Sequence, residues 1–503
     1  MPETAERLSP QALHDLRCHP SGTTANLGPG WIIYHMHRQR RLTDNRALAA
    51  AVAAAKGHRR PLLIIETLPC TGPWRARRHH HFAIQGMQDT TRRLARRLAL
   101  RYLAAVETKA GQLARLWRRM ADLGALLVSD QAPGQPSNDD EDQARQAFLR
   151  AGRPILGIDD QGLLPLRLLD KACPSAAVFR RHLHRQARAA CCDLPPAEPL
   201  AGLRLPPIPA DEIAELVRRN PPLAWAAEHL STPDQALSRL PIDQGIAAVD
   251  LPGGESAAQR CLERFLDHGL GRYDQRNHPD QAVCSGLSPY LRWGHIGTTT
   301  ILRRILATVP DWDPLRLPER GGARQGFWPL PATHEAFLDQ LLTWRELGQQ
   351  AMARMPGFTC YGGLPAWARA GLEARRHDPR PALYSPDRLE AADTDDPLWN
   401  AAQRQLRGEG IIHNYLRMLW GKNLLLWSTD PAAAYDLLVD LNNRYALDGC
   451  DPNSWSGIGW CFGLFDHPWP ARPIYGPVRC MTSASTRRKL RLDEYLQRWG
   501  ADG

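Results

Sequence analysis

The residues of this chain best suited to chemistry lie between Asp396 and Trp460. Trp399 stands in DPLWNAA (Asp396–Ala402), and Trp420 and Trp427 stand in GIIHNYLRMLWGKNLLLW (Gly410–Trp427). Arg417, Asn442 and Asp448 lie among them. Tryptophan is the most easily oxidised large side chain, and indoles in edge contact can relay an electron. Trp420 and Trp427 are seven residues apart, so on a helix they share a face. An oxidisable stripe beside polar groups suited to a cofactor points to a redox centre. Periodicity by itself favours a plainer reading, an aromatic packing stripe.

These residues need a scaffold, and the hydrophobic pattern supplies one in two parts. Trp31–Met36, Pro61–Glu66, Ala125–Ser129 and Pro154–Asp159 are short apolar runs without helical period, which predicts buried strands. Helical patterns over Asn45–Lys56, Phe82–Leu100 and Gln143–Ala151 alternate with them. The alternation predicts an α/β domain with a doubly wound parallel sheet over 28–193, behind an N-terminal extension at 1–27. Ligands of such sheets sit at the carboxyl ends of the strands, yet no Gly-rich phosphate loop follows any of these strands. Prolines at 195, 196, 199, 206, 207 and 209 predict a stiff linker over 194–210. From 211 to 503 the pattern is helical, as in Asp211–Arg219, Ser256–Leu270, Thr298–Thr308, His334–Met355 and Ala401–Trp427, which predicts an all-α second domain. The acidic run Asn138–Asp142 reads as a solvated loop. His79, His80 and His81 are consecutive, so their side chains diverge; they read as structural, and no metal is expected.

At 503 residues the chain exceeds one ordinary core, and its 43% hydrophobic and 23% charged content is that of a globular protein. The net charge of +10 is carried mostly by arginine, which suits an acidic partner such as nucleic acid. A basic surface without a partner is the alternative. Residues 1–27 have no apolar core of a secretory leader, and no run is long enough to span a membrane. The 11 cysteines show no CxxC or zinc spacing, with Cys191-Cys192 the one tight pair. Reduced thiols in a cytoplasmic protein are expected.

The order of the motifs sharpens this. CSGLSPYLRWGHIG (Cys284–Gly297), WREL (Trp344–Leu347), DPLWNAAQ, HNYLRMLWGKNLLLW, LNNRYALDGCDPN (Leu441–Asn453) and WPARPIYGPVRCM (Trp469–Met481) follow one another over Arg272–Met481. In that order they resemble the photolyase/cryptochrome family, and most closely its class II cyclobutane pyrimidine dimer photolyases. The resemblance extends more weakly to the N-terminus. It implies an antenna-type first domain, of unspecified second chromophore, and an FAD-binding helical domain. It also implies a monomer acting on damaged DNA, with no membrane association.

Residue by residue, the resemblance implies the following roles. Tyr273, Leu287, Ser288, Arg417, Asn442 and Asp448 hold FAD, with Arg417 and Asp448 paired beside the ring and Asn442 near its N5. Ser288 before Pro289 also reads as a simple helix start. Trp427 stands nearest the flavin, then Trp399, then Trp420 near the surface. Leu419 replaces a tyrosine beside the distal tryptophan. Glu346 hydrogen-bonds the lesion, Trp460 and Met418 line its pocket, and Arg276, Asn277 and Arg479 contact lesion or backbone. Trp344, Gly348-Gln349, Arg292 and Trp293 depart from the family pattern, as does a loop after Trp460 shorter by one residue. The expected activity is light-driven dimer repair from reduced FAD. The rival readings are a photolyase-like flavoprotein without repair, such as a photoreceptor, and a basic DNA-binding protein without chemistry.

Overall fold

The computed structural model describes residues 7–24, 27–95, 101–131 and 139–500. Six strands form one sheet: β1 (Cys18–Ser21), β2 (Trp31–Met36), β3 (Leu62–Leu68), β4 (Arg101–Val106), β5 (Gly124–Gln131) and β6 (Ile155–Asp159). Their order is β1-β6-β5-β2-β3-β4, parallel throughout except that β1 runs antiparallel to β6. Alternation along the strands assigns the two faces. Ile33, Leu63, Ile65 and Leu127 pack with Leu116, Trp117 and Met120 of the helix Gln112–Leu123. Ile32, Tyr34, Ile64 and Val128 pack with Leu48, Ala51 and Val52 of the helix Arg46–Gly57. Each fully buried aliphatic side chain stabilises by about 1.5–3 kcal/mol, so the sheet is held from both sides.

The expected strands and the doubly wound α/β architecture are present, with four differences in this part of the chain. Residues of the expected extension form the helix Pro10–Arg17 and the edge strand β1. Ser9 caps that helix through the amide of Ala12, and the buried Arg17 guanidinium donates to the carbonyls of Asp159 and Gly162 at the end of β6. Strand β4 and the helix Gln112–Leu123 were not expected. RYLAAV carries helix-forming Leu and Ala, and its partner β3, not its own periodicity, makes it a strand. The acidic run is not a loop: a helix starts at Asp139, and Asp140 is buried. Asn138 lies outside the described residues.

The fourth difference concerns the expected boundary. Beyond the prolines, the helices Ala210–Arg219 and Pro221–His229 send Leu216 and Leu223 into the core against one face of the sheet. One compact unit comprises Met1–Leu168, Arg185–Arg260 and Trp293–Leu317; the other comprises Leu169–His184, Cys261–Arg292 and Pro318–Gly503. The second unit is helical. Its expected helix Ala401–Trp427 is two helices, Pro397–Glu409 and Asn414–Leu426, separated at Gly410, whose φ of 69° suits glycine. The expected helix over His334–Met355 contains a wide π-type turn at Asp339–Trp344. The three adjacent histidines have separate partners: His79 meets the Trp74 carbonyl, His80 those of Ala76 and Pro69, and His81 the carboxylate of Asp234.

Candidate active site

The helix Asn414–Leu426 organises the second unit's polar interior. Arg417 Nη2 donates to both carboxylate oxygens of Asp448, at 2.9 and 3.1 Å. Asp448 is held by its chain neighbour, since the amide of Leu447 donates to the carbonyl of Gly410 at 2.7 Å, at the break between the two helices. Asn442 is buried near the end of the helix Pro431–Tyr445. Its Nδ2 donates to Asn443 Oδ1 at 3.0 Å and to Ser454 Oγ at 2.8 Å. Around these groups Arg417 Nε, Asn443 Nδ2, Lys422 Nζ and Ser456 Oγ are buried and make no hydrogen bond among the described residues. Buried donors left unpaired are costly unless an acceptor-rich group completes them. These come from the helices Asn414–Leu426, Pro431–Tyr445 and Pro452–Cys461, and a polar cofactor fits that interior.

The three tryptophans form a continuous chain. Trp399 meets Trp427 edge to face at 5.3 Å between ring centroids, and Trp420 in a near-parallel arrangement at 6.3 Å. Two hydrogen bonds fix the pair: Trp399 Nε1 to the Trp420 carbonyl, and Trp420 Nε1 to Gln403 Oε1, each 3.0 Å. All three indoles are buried, with Trp399 at 0% exposure. Trp420, expected near the surface, is 1% exposed and lies three residues from Arg417 on one helix, whereas Trp427 is 7% exposed at the helix end. Beyond Trp427 stands Tyr384, edge-on at 5.1 Å, its hydroxyl 2.9 Å from Asp395 Oδ2 at the surface. Sequence spacing gave no sign of Tyr384, because it comes from a separate segment ahead of the short helix Pro386–Glu390.

Glu346 and Arg345 follow the wide turn Asp339–Trp344, and both are buried. Arg345 makes a two-pronged bond to Asp451, at 2.8 and 2.9 Å. Asp451 also caps the helix Pro452–Cys461 through the amide of Asn453. Arg345 thus ties two helices together. The departure at Gly348 has a packing reason: a Cβ there would lie 2.6 Å from Ser456 Oγ and 2.7 Å from the Pro452 carbonyl. On the same helix Trp460 is half-buried, with Lys422 Nζ over its ring at 5.0 Å and the Arg479 guanidinium at 5.5 Å. Arg479 also pairs with Asp466 at 3.3 Å. Met418 reaches the same helix at Gly457. Burial pulls the Lys422 ammonium down to about 8, partly offset by Cys461 and Asp466. Lys422 was not among the expected site residues, although a lysine inside an otherwise apolar helix run is its signal.

Tyr273 is buried edge-on to Phe265 and Phe337 at 5.8 and 5.1 Å. Arg276 stacks on Tyr273 at 5.2 Å, Asn277 is exposed, and the Arg276 carbonyl meets His413 Nε2 at 3.0 Å. Leu287 is buried, and Ser288 opens the helix Ser288–Trp293, half-buried.

Known proteins resemble this chain over nearly its whole length. The DNA photolyase family model matches residues 32–200. A deoxyribodipyrimidine photo-lyase of Methanothermobacter thermautotrophicus is 29% identical over 480 residues, covering 95% of this chain and 96% of that protein. One from Oryza sativa subsp. japonica is 30% identical over 495 residues, covering 95% of this chain and 88% of that protein. The chain belongs to the DNA photolyase family. Solved photolyases share the fold: a bacterial class III photolyase from Agrobacterium tumefaciens has a TM-score of 0.62 at 18% identity, covering 95% of this chain and 88% of that one. An archaeal photolyase from Sulfolobus tokodaii with two FAD molecules has a TM-score of 0.61 at 14% identity, covering 93% and 89%. Photolyases are FAD enzymes that act on damaged DNA, and the unpaired buried donors described above fit that cofactor. No helix among the described residues is long and apolar enough to cross a membrane.

Proposed function

We propose that this photolyase repairs cyclobutane pyrimidine dimers in DNA, in the manner of class II enzymes. Reduced FAD, excited by light, supplies an electron that opens the dimer and then returns. The observation that carries the reading is that the helix Asn414–Leu426 brings both the Arg417–Asp448 pair and the tryptophan chain together, Arg417 and Trp420 standing on it and Asp448 and Trp399 contacting it. Arg417 and Asp448 orient the flavin and balance its charge, Asn442 hydrogen-bonds it, and Tyr273, Leu287 and Ser288 complete its pocket. Glu346 hydrogen-bonds the dimer and favours its charged state, an effect that is large where water is excluded. Trp460 and Met418 bound the flipped bases, and Arg276, Asn277 and Arg479 hold the backbone. The tryptophans serve reduction of the oxidised cofactor, and their burial supports an order running from Trp420 through Trp399 to Trp427, with Tyr384 outermost.

The test is repair of thymine-dimer oligonucleotides under near-UV light with chemically reduced protein. Intact thymines should return, damaged DNA should bind more tightly than undamaged DNA, and Glu346→Ala should depress repair yield more than binding. Equal binding of both DNAs with no repair in light would sink the proposal and favour the non-repair flavoprotein.

A further inference from the structure

We propose that His35, His37 and Asp140 form a binding site for one divalent transition-metal ion of the zinc type, at the carboxyl end of β2. His35 lies near the end of that strand and His37 just beyond it, two residues on, so both project to one side of the sheet. Asp140 comes from the first turn of the helix Asp139–Arg150. One ligand atom from each residue lies within 4.8 Å of the others. His35 Nε2 is 3.2 Å and His37 Nδ1 3.9 Å from Asp140 Oδ2. Ligands about 2.0–2.2 Å from a tetrahedral zinc stand roughly 3.3 Å apart, so side-chain movements under an ångström would close the site.

The decisive residue is His37. It is 6% exposed, and among the described residues neither ring nitrogen makes a hydrogen bond. An ion pair between His35 and Asp140 alone would account for two of the three residues and leave His37 buried with nothing to bind, a costly arrangement. Its backbone is fixed independently, since Asp130 Oδ1 accepts from the His37 amide at 3.0 Å.

The surroundings orient the three groups in the way outer partners orient metal ligands. Trp117 Nε1 donates to Asp140 Oδ1 at 2.7 Å, leaving Oδ2 toward the histidines. The Thr67 hydroxyl meets Asp140 Oδ2 and stands 2.9 Å from His35 Nε2. The Trp117 ring packs on the His35 ring at 4.4 Å. Charges of both signs surround the three groups. Arg38, Arg40 and Arg75 act on His37, while Asp130, Asp140, Glu66 and Glu141 supply carboxylates in the same interior. Two imidazoles and one carboxylate select zinc or its first-row neighbours over calcium and magnesium, which prefer oxygen. The position is the fold's own ligand spot: β2 lies between β5 and β3, where the strand order reverses. The ion would tie the helix Asp139–Arg150 to the sheet, and no redox step is assigned to it.

The experiment uses FAD-loaded protein stripped with a chelator and dialysed against zinc chloride, with bound zinc measured by mass spectrometry. One equivalent per chain is expected. His37→Gln and Asp140→Asn should each weaken binding at least about tenfold while the flavin absorbance is retained. Zinc that washes out of the wild type, or that stays equally in both variants, overturns the proposal. Should a variant lose its flavin, cobalt loaded into the wild type decides: intense visible bands of a four-coordinate ion support the site, and weak six-coordinate bands overturn it.

Discussion

Lys422 shows how one residue carries a cost that function must repay. Its ammonium is buried, rests on Trp460, and has no hydrogen-bond acceptor among the described residues. The folded protein gives up this proton near pH 8, whereas the unfolded chain keeps it to about 10.5. Between those values the unfolded state binds more protons, so this group makes stability rise as pH climbs from 8 to 10.5 and leaves it lowest below 8. Lys422→Met should therefore stabilise the protein near neutral pH, by on the order of 3 kcal/mol. Urea midpoints of both proteins at pH 7 and pH 10 test this; an unchanged difference between the two pH values would refute it. A buried cation on an aromatic wall is also a place for an anion, such as a phosphate of DNA or of the cofactor.

The tryptophan relay belongs to the same scale. Trp399 touches both other indoles, so Trp399→Phe should abolish sustained photoreduction whichever way the electron runs. Trp420→Phe should stop the first step, while Trp427→Phe and Tyr384→Phe should only shorten the lifetime of the separated charges. Transient absorption distinguishes these cases; a fast first step surviving in Trp420→Phe but lost in Trp427→Phe would restore the opposite order. The closeness of Arg417, Trp420 and Trp427 was legible in sequence because they share one short segment. How deeply each is buried was not, because burial depends on neighbours such as Tyr384, Gln403 and Asp395 that come from elsewhere in the chain.

Among elements, the pairing of the helices Arg345–Arg354 and Pro452–Cys461 decides where Glu346 and Trp460 stand. Gly348 lets the two backbones approach, and Arg345 locks them through Asp451. Gly348→Ala should cost about 1–3 kcal/mol, because one of the atoms in the way is the Pro452 carbonyl, which cannot move alone. A melting temperature unchanged from wild type would show that the helices part freely. In sequence, Gly348 stood out only as a departure from the family pattern; in the fold it is a packing residue. The longest helical pattern misled for a related reason. Apolar spacing persists through Ile411 and Ile412, and only the left-handed Gly410 breaks it.

Across the whole molecule, the first unit was legible where strands are apolar on both faces and hidden where they are not. Strand β1, CHPS, has no hydrophobic signature at all, and it is a strand because β6 pairs with it. The basic charge of +10 should make DNA binding fall steeply with salt, as displaced counterions require. Filter binding from low to physiological salt measures this, and a flat response would remove phosphate contact as the main source of affinity.

The antiparallel strand at the sheet's margin has one more effect. Cys18–Ser21 occupies the backbone groups of Ile155–Ile158, and Arg17 clamps it there. Without those residues the next strand inward would offer bare amides and carbonyls to any passing copy of itself. A chain trimmed through residue 24 should show this in light scattering, as aggregates that grow faster than any formed by the intact protein; a trimmed chain that scatters no more than the intact one would show the margin needs no cover. Four residues with no apolar signature act as a stopper, ending the sheet before it can recruit the next molecule.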